Sequence, residues 1–188
     1  MRSTPNKTTE PLREVVLGIP GAGKSKVIHW ITRFFRECLQ WEAGVQYQCL
    51  ATQNTMAALI GGATVHTWAS IPINATDAAD KVHSKTSGGD VDVLFERCVG
   101  MRWLIIDEMS TLSAPLMGLL DSYLRRACAR HPHAKRPDGS IRPFGGLNVI
   151  FLGDFWQLTP VRSLSLSSNP YKDVDDHGAQ KILKMFWQ

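Results

Sequence analysis

The sequence predicts an α/β fold, a parallel sheet with helices on both faces. Three observations carry that reading. Short β-branched or continuously apolar runs end in glycines or carboxylates, as in "EVVLGI", "RWLIIDE" and "LNVIFLGD". Amphipathic or alanine-rich stretches of helical period lie between them, and such alternation favours parallel strands joined by helical crossovers. The length of 188 residues with 44% hydrophobic content supports one core with two covered faces.

Taken in order, residues 1–13 read as a disordered lead-in, because they are polar and have neither period nor an apolar stretch fit for a secretory signal. The domain then runs over 14–188. "EVVLGI" (Glu14 to Ile19) is a buried strand stopped by Pro20 and glycines. From Ser25 the spacing of Val27, Ile28, Ile31, Phe34, Phe35, Cys38 and Leu39 predicts one apolar helix face, with the helix ending near Gly44. "YQCLAT" (Tyr47 to Thr52) is a second strand, and "QNTMAALIGG" a short helix closed by Gly61 and Gly62. "ATVHTWASI" reads as extended. Residues 72–92 are polar and aperiodic and read as a surface loop. "RWLIIDE" has the character of a central strand. A long helix follows from about Ser113 to Arg130, with Leu116, Leu119, Leu120, Tyr123, Leu124 and Ala127 inward, and "LNVIFLGD" (Leu147 to Asp154) closes the series as another buried strand.

Composition narrows the function classes. Twenty-one Lys and Arg against seventeen Asp and Glu leave +4, which suits a polyanionic partner and equally an ordinary solvated surface. Cys38, Cys49, Cys98 and Cys128 lack zinc-ligand spacing and read as reduced, mostly buried thiols of an intracellular protein. His131 and His133 flank Pro132 in a basic stretch without further ligands nearby, so a solvated loop is expected there. No apolar run approaches the roughly 18 residues of a membrane-spanning helix, so no membrane partner is expected.

Chemistry concentrates at three strand ends. Gly18-x4-Gly23-Lys24-Ser25 fits G-x-x-x-x-G-K-[ST] between a strand and a helix. Its glycines let successive N–H groups curl toward phosphate oxygens, and the helix adds its positive end. Gly18, Pro20, Gly21, Ala22, Gly23, Lys24 and Ser25 are thus the candidate cradle for a nucleotide's phosphates, with Lys24 on the β and γ phosphates and the Ser25 hydroxyl on Mg²⁺. Asp107 and Glu108 end "WLII". Asp107 suits a water-mediated hold on the same Mg²⁺, and Glu108 suits the base that orients or deprotonates the attacking water. Gln157, in "GDFWQLTPV", has an amide that both donates and accepts, as sensing a γ phosphate requires. The expected catalytic set is Lys24, Glu108 and Gln157.

The motifs "GIPGAGKS", "LATQNTMAALIGGATVHTW", "LIIDEMSTLSAPLMGLLD" and "FGGLNVIFLGDFWQLTPV", in this order over about residues 14–161, resemble those of the PIF-type (petite integration frequency) DNA helicases of superfamily one. The sequence departs from that family's pattern at Ala22, Asn54-Thr55 and Thr159, and no adenine-reading glutamine stands upstream of Gly18. The resemblance implies a RecA-like P-loop domain and ATP-driven 5′ to 3′ translocation on single-stranded DNA. It also implies duplex unwinding in repair, recombination or telomere maintenance, in the nucleus or alternatively the mitochondrion. Thr64, His66, Thr67 and Trp68 fall where the family follows the DNA strand; for Trp68, base stacking and a core position stand as equal alternatives. The family's second RecA-like domain, with its arginines across the ATP cleft, is expected as a partner but absent from these residues. Weak Mg-ATP binding with slow or no hydrolysis is the corresponding expectation. A non-catalytic P-loop binding module, a RecD-type helicase domain and a small-molecule kinase are the competing readings.

Overall fold

A computed structural model describes residues 9–72, 88–160, 163–171 and 176–187. Five strands, β1 (Arg13–Leu17), β2 (Tyr47–Ala51), β3 (Ala63–Thr64), β4 (Trp103–Ile106) and β5 (Asn148–Gly153), form one sheet in the order β1-β5-β4-β2-β3. Every pairing is parallel. The helices are α1 (Lys24–Glu37), α2 (Asn54–Leu59), α3 (Val65–Ala69), α4 (Gly88–Cys98), α5 (Ala114–Ala127) and α6 (His177–Trp187).

Both faces of the sheet are covered, as expected. In β4, Leu104 and Ile106 enter the larger core with α3, α4, α5 and α6, while Ile105 enters a smaller core under α1. That alternation explains why a central parallel strand reads as unbroken hydrophobic sequence. Phe35 anchors the smaller core, with Trp41, Tyr47 and Trp103 rings 5.1, 5.2 and 5.6 Å away.

Several expectations are corrected. The helix α1 stops at Glu37, well before Gly44, because Gln40 turns left-handed and the Leu39 and Trp41 N–H groups return to Phe34 and Phe35 carbonyls. Its apolar arc is wider than the strip the sheet covers: Ile28 and Phe35 are buried, whereas Val27, Phe34, Cys38 and Leu39 are exposed. "ATVHTWASI" is not extended throughout. After the two residues of β3, the Thr64 hydroxyl accepts the Thr67 N–H and caps α3, whose Val65, Trp68 and Ala69 are buried at helical spacing.

The loop expected over 72–92 lies mostly outside the described residues, but 88–92 belong to α4, which is anchored by buried Leu94 and Cys98. The lead-in ends earlier than residue 13. Leu12 N–H binds Asn148 Oδ1, Glu10 pairs with Arg136 and buried Arg142, and Arg13 already belongs to β1. Those same pairs hold the basic loop against the domain, so His131 and His133 are half-buried rather than solvated. Of the four cysteines, three are buried and Cys38 is exposed.

Candidate functional site

The glycine loop follows from β1 and α1. Gly18 N–H binds the Gly153 carbonyl at 3.2 Å, fixing the loop's start beside the tip of β5. Gly21 and Gly23 have φ of 77° and 91°, and a Cβ on either would meet nothing within 4 Å. Glycine is therefore required by backbone conformation and leaves the loop's outer side open. No side chain caps α1 and its first turn holds no acid, so its N-terminal N–H groups are left for an external anion. Lys24 Nζ donates to the carbonyls of Gly18 at 2.5 Å and Ile19 at 3.3 Å, which keeps the amine over the same loop. Pro20, Gly21, Ala22 and Ser25 are exposed, and Gly18, Gly23 and Lys24 partly so. A phosphate chain fits this cradle.

The carboxylates come from the next two strand tips. Asp107 is 4% exposed, its N–H binds Leu50 O at 2.9 Å, and its Oδ1 accepts Glu108 N–H at 2.9 Å. Burial pushes its carboxyl above the usual range, against the Glu108 N–H and the Lys24 charge, which lower it. Glu108 is half-buried and left-handed, φ 52° and ψ 45°. Burial raises its carboxyl first, the neighbouring Asp107 and then Asp154 raise it further, and Lys24 opposes them. Lys24, Asp107, Glu108 and Asp154 thus share one electrostatic neighbourhood. Gln157 shares a cavity of about 680 Å³ with Glu108, lined also by Thr52, Met56, Thr111 and Trp156.

Asp154 was not among the residues singled out from sequence. It is 4% exposed, its Oδ1 accepts Trp156 N–H at 2.9 Å, and its carbonyl accepts Gln157 N–H at 3.1 Å. It forms the turn that presents Gln157. The signal was available: a carboxylate directly after an apolar strand, as at Asp107.

A divalent ion would find the Ser25 hydroxyl and the Asp107 carboxylate here. Among the described residues no three His, Cys, Asp or Glu side chains form a metal cluster. A hydroxyl and a carboxylate fit Mg²⁺, which takes one or two protein ligands and completes its shell with phosphate oxygens and water.

The candidate DNA residues are gathered on α3 and its cap but are not equally available. Thr64 is buried and donates its hydroxyl to Thr67 Oγ1 at 2.8 Å. His66 Nδ1 lies 3.1 Å from Ile71 O. Trp68 is 5% exposed within the larger core, so of its two readings the core position holds. Arg97 binds the carbonyls of Thr67 and Trp68, and Thr67, whose hydroxyl accepts from Thr64, is the exposed one of the four.

Comparison with known proteins agrees with this arrangement. ATP-dependent DNA helicase PIF1 of Saccharomyces cerevisiae is 31% identical over 144 residues, which are 77% of this chain and 15% of the yeast protein. ATP-dependent DNA helicase Pif1 of Bdellovibrio bacteriovorus is also 31% identical, over 77% of this chain and 28% of its own length. A Bacteroides Pif1 helicase solved with ADP-AlF3 and single-stranded DNA superposes with a TM-score of 0.59 at 28% identity, covering 82% of this chain and 31% of that one. This chain therefore spans less than a third of each of these relatives. Residues 7–169 match the PIF1-like helicase family. Because that match runs through all three strand tips around Lys24, this chain belongs to the PIF1-like helicase family.

Proposed function

We propose that this chain is the nucleotide-holding RecA-like motor domain of an ATP-driven helicase that moves 5′ to 3′ on single-stranded DNA and unwinds duplex. The observation that carries the reading is the gathering of Lys24, Asp107, Glu108 and Asp154 at adjacent strand tips, with Gln157 beside Glu108 in one cavity. Family membership supports the substrate: the Bacteroides relative was solved with ADP-AlF3 and single-stranded DNA.

In hydrolysis, Lys24 neutralises the β and γ phosphates while the open N–H groups of the glycine loop hold the phosphate chain. Glu108 takes a proton from water as its oxygen attacks the γ phosphorus; the bond to the bridging oxygen breaks and ADP leaves with those electrons. The raised carboxyl of Glu108 makes it a stronger base than an ordinary glutamate. Gln157 orients the same water or reads the γ phosphate. Ser25, and Asp107 through water, would hold Mg²⁺, which would supply charge neutralisation at the phosphates.

Stepping requires a second RecA-like lobe to open and close against this one, so that lobe and single-stranded DNA are the proposed partners. The setting is intracellular, where the DNA is: the nucleus, or alternatively the mitochondrion. Of the α3 group, Thr67 is the proposed contact to a DNA phosphate, supported by its being the exposed one of the four.

The purified 188-residue chain tests the reading. It is expected to bind Mg-ATP weakly and to hydrolyse it slowly without response to single-stranded DNA. Lys24→Ala should abolish nucleotide binding, and Glu108→Gln should retain binding but slow single-turnover hydrolysis about a hundredfold. Robust DNA-stimulated turnover would overturn the need for a second lobe. DNA binding indifferent to both ATP and Lys24→Ala would favour a non-catalytic module instead.

A further inference from the structure

Two threonines that no motif singles out form a bridge between strand tips. Thr52 follows β2 directly and Thr111 closes the turn after Glu108. They are 59 residues apart in sequence, yet their hydroxyl oxygens lie 2.6 Å from each other. Thr111 Oγ1–H also donates to Glu108 O at 2.7 Å, and Thr111 N–H reaches the same carbonyl at 3.0 Å. A threonine hydroxyl has one proton to give. Since that of Thr111 goes to Glu108 O, Thr52 is the donor in the 2.6 Å contact. The order is therefore Thr52 to Thr111 to the Glu108 carbonyl, each oxygen accepting along the chain.

This order bears on catalysis because of the conformation of Glu108. A glutamate at φ 52° is held against its preference, and such a backbone persists only where its surroundings determine it. Both bonds to its carbonyl come from Thr111, and the bond to its N–H comes from Asp107 Oδ1. Any relaxation of φ would re-aim the carboxylate within the cavity that Glu108 lines with Gln157. Thr52 in turn lies two residues before α2, the helix that leads through β3 into α3. The hydroxyl pair thus ties the catalytic carboxylate's backbone to the start of the segment carrying Thr67.

We infer that Thr111 and Thr52 are positioning residues for Glu108, a hydroxyl relay that holds the carboxylate in register within this single domain. The inference rests on the reading of Glu108 as the base. Its test is single-turnover ATP hydrolysis with the chain in excess, beside Mg-ATP affinity measured with a fluorescent analogue. Thr111→Val should slow hydrolysis about tenfold while affinity stays within about twofold, because it misplaces a catalytic group without touching the cradle. Thr111→Ser, which restores the hydroxyl, should return the rate to within about threefold of the original. Thr52→Val should slow hydrolysis about threefold alone and add nothing to Thr111→Val, as members of one relay are not additive. Should Thr111→Val not fold, Thr52→Val and Thr111→Ser carry the test.

Thr111→Val hydrolysing at the unmodified rate, with Glu108→Gln inactive, overturns the relay and leaves the base intact. Glu108→Gln hydrolysing normally overturns the base and the relay together. An unmodified chain no faster than Glu108→Gln overturns the relay, since the base is then not in register within one domain. Equal losses of rate and affinity in Thr111→Val overturn it too, as they would mark a purely structural role.

Discussion

Burying the Asp107 carboxyl costs stability when it is ionised. Its carboxyl is buried, and burial outweighs the Lys24 charge and the Glu108 N–H, so its folded value lies above the ordinary 3.8. The folded protein therefore holds the proton more tightly than the unfolded chain does. Stability falls as pH rises from the ordinary carboxylate range through the raised value, and the full cost is present above that value. Asp107→Asn keeps an oxygen to accept the Glu108 N–H and removes the charge. At neutral pH it should raise Tm by about 2–4 °C, equivalent to about 1 kcal/mol for a domain of this size, while lowering Mg-ATP hydrolysis. The gain should shrink as pH is lowered toward the ordinary carboxylate range; thermal melts across pH check this, and a lower Tm at neutral pH would mean that Lys24 outweighs burial. Asp107 and Glu108 were legible because chemistry at a strand tip leaves a local mark, carboxylates ending an apolar run. The Thr52–Thr111 bridge was not, because a contact between residues 59 apart leaves none.

At the scale of elements, the turn before β5 carries the tightest constraint. Phe144, Gly145 and Gly146 follow one another with φ of 50°, 62° and 82°, and the Phe144 N–H is fixed by Asp121 Oδ1 at 2.6 Å. Asp121 is itself held by Arg125 at 2.6 Å. A Cβ on Gly146 would lie 2.0 Å from His133 O, a backbone atom that has no side-chain freedom with which to retreat. Gly146→Ala should cost at least about 2 kcal/mol, combining left-handed strain with that clash. Gly21→Ala, where a Cβ meets nothing within 4 Å, should cost only about 1 kcal/mol of backbone strain. Urea unfolding separates the two, with a lower midpoint and unchanged slope in each; equal losses would remove the clash from the account. Strands β2, β4 and β5 were legible because burial on both faces writes continuous apolar runs; β1, expected as a buried strand, is instead a largely exposed edge strand, since β5 covers only one of its sides. The end of α1 and the turn into α3 were decided by a left-handed residue and a threonine cap, which override periodicity over one or two positions.

For the whole molecule, the parallel α/β class was legible from alternation, but the strand order was not, since it depends on which distant segments pack together. That order leaves β1 at the sheet's edge. Val149 N–H binds Leu12 O and Gly18 N–H binds Gly153 O, so even-numbered residues of β1 face β5. The N–H and C=O groups of Arg13, Val15 and Leu17 then point away from the sheet, as alternation along a strand requires. Leu17, on this strand, is 60% exposed; elsewhere, on α1, Trp30 and Phe34 are 56% and 51% exposed. An edge that no strand among the described residues pairs, together with exposed apolar side chains on β1 and α1, favours pairing with another chain, and +4 is a modest charge to oppose it. The isolated chain should therefore self-associate, its apparent mass in sedimentation rising with concentration. Leu17→Lys combined with Trp30→Lys adds two positive charges, one on β1 and one on α1, and removes apolar area that contributes little to either core. The variant should sediment as a monomer with its Tm within about 2 °C of the original, because exposed positions away from the core seldom shift stability by more than about 0.5 kcal/mol. Equal association of the two forms would move the contact away from β1 and α1, and a monomeric unmodified chain would show that the charge on this edge suffices to keep copies apart.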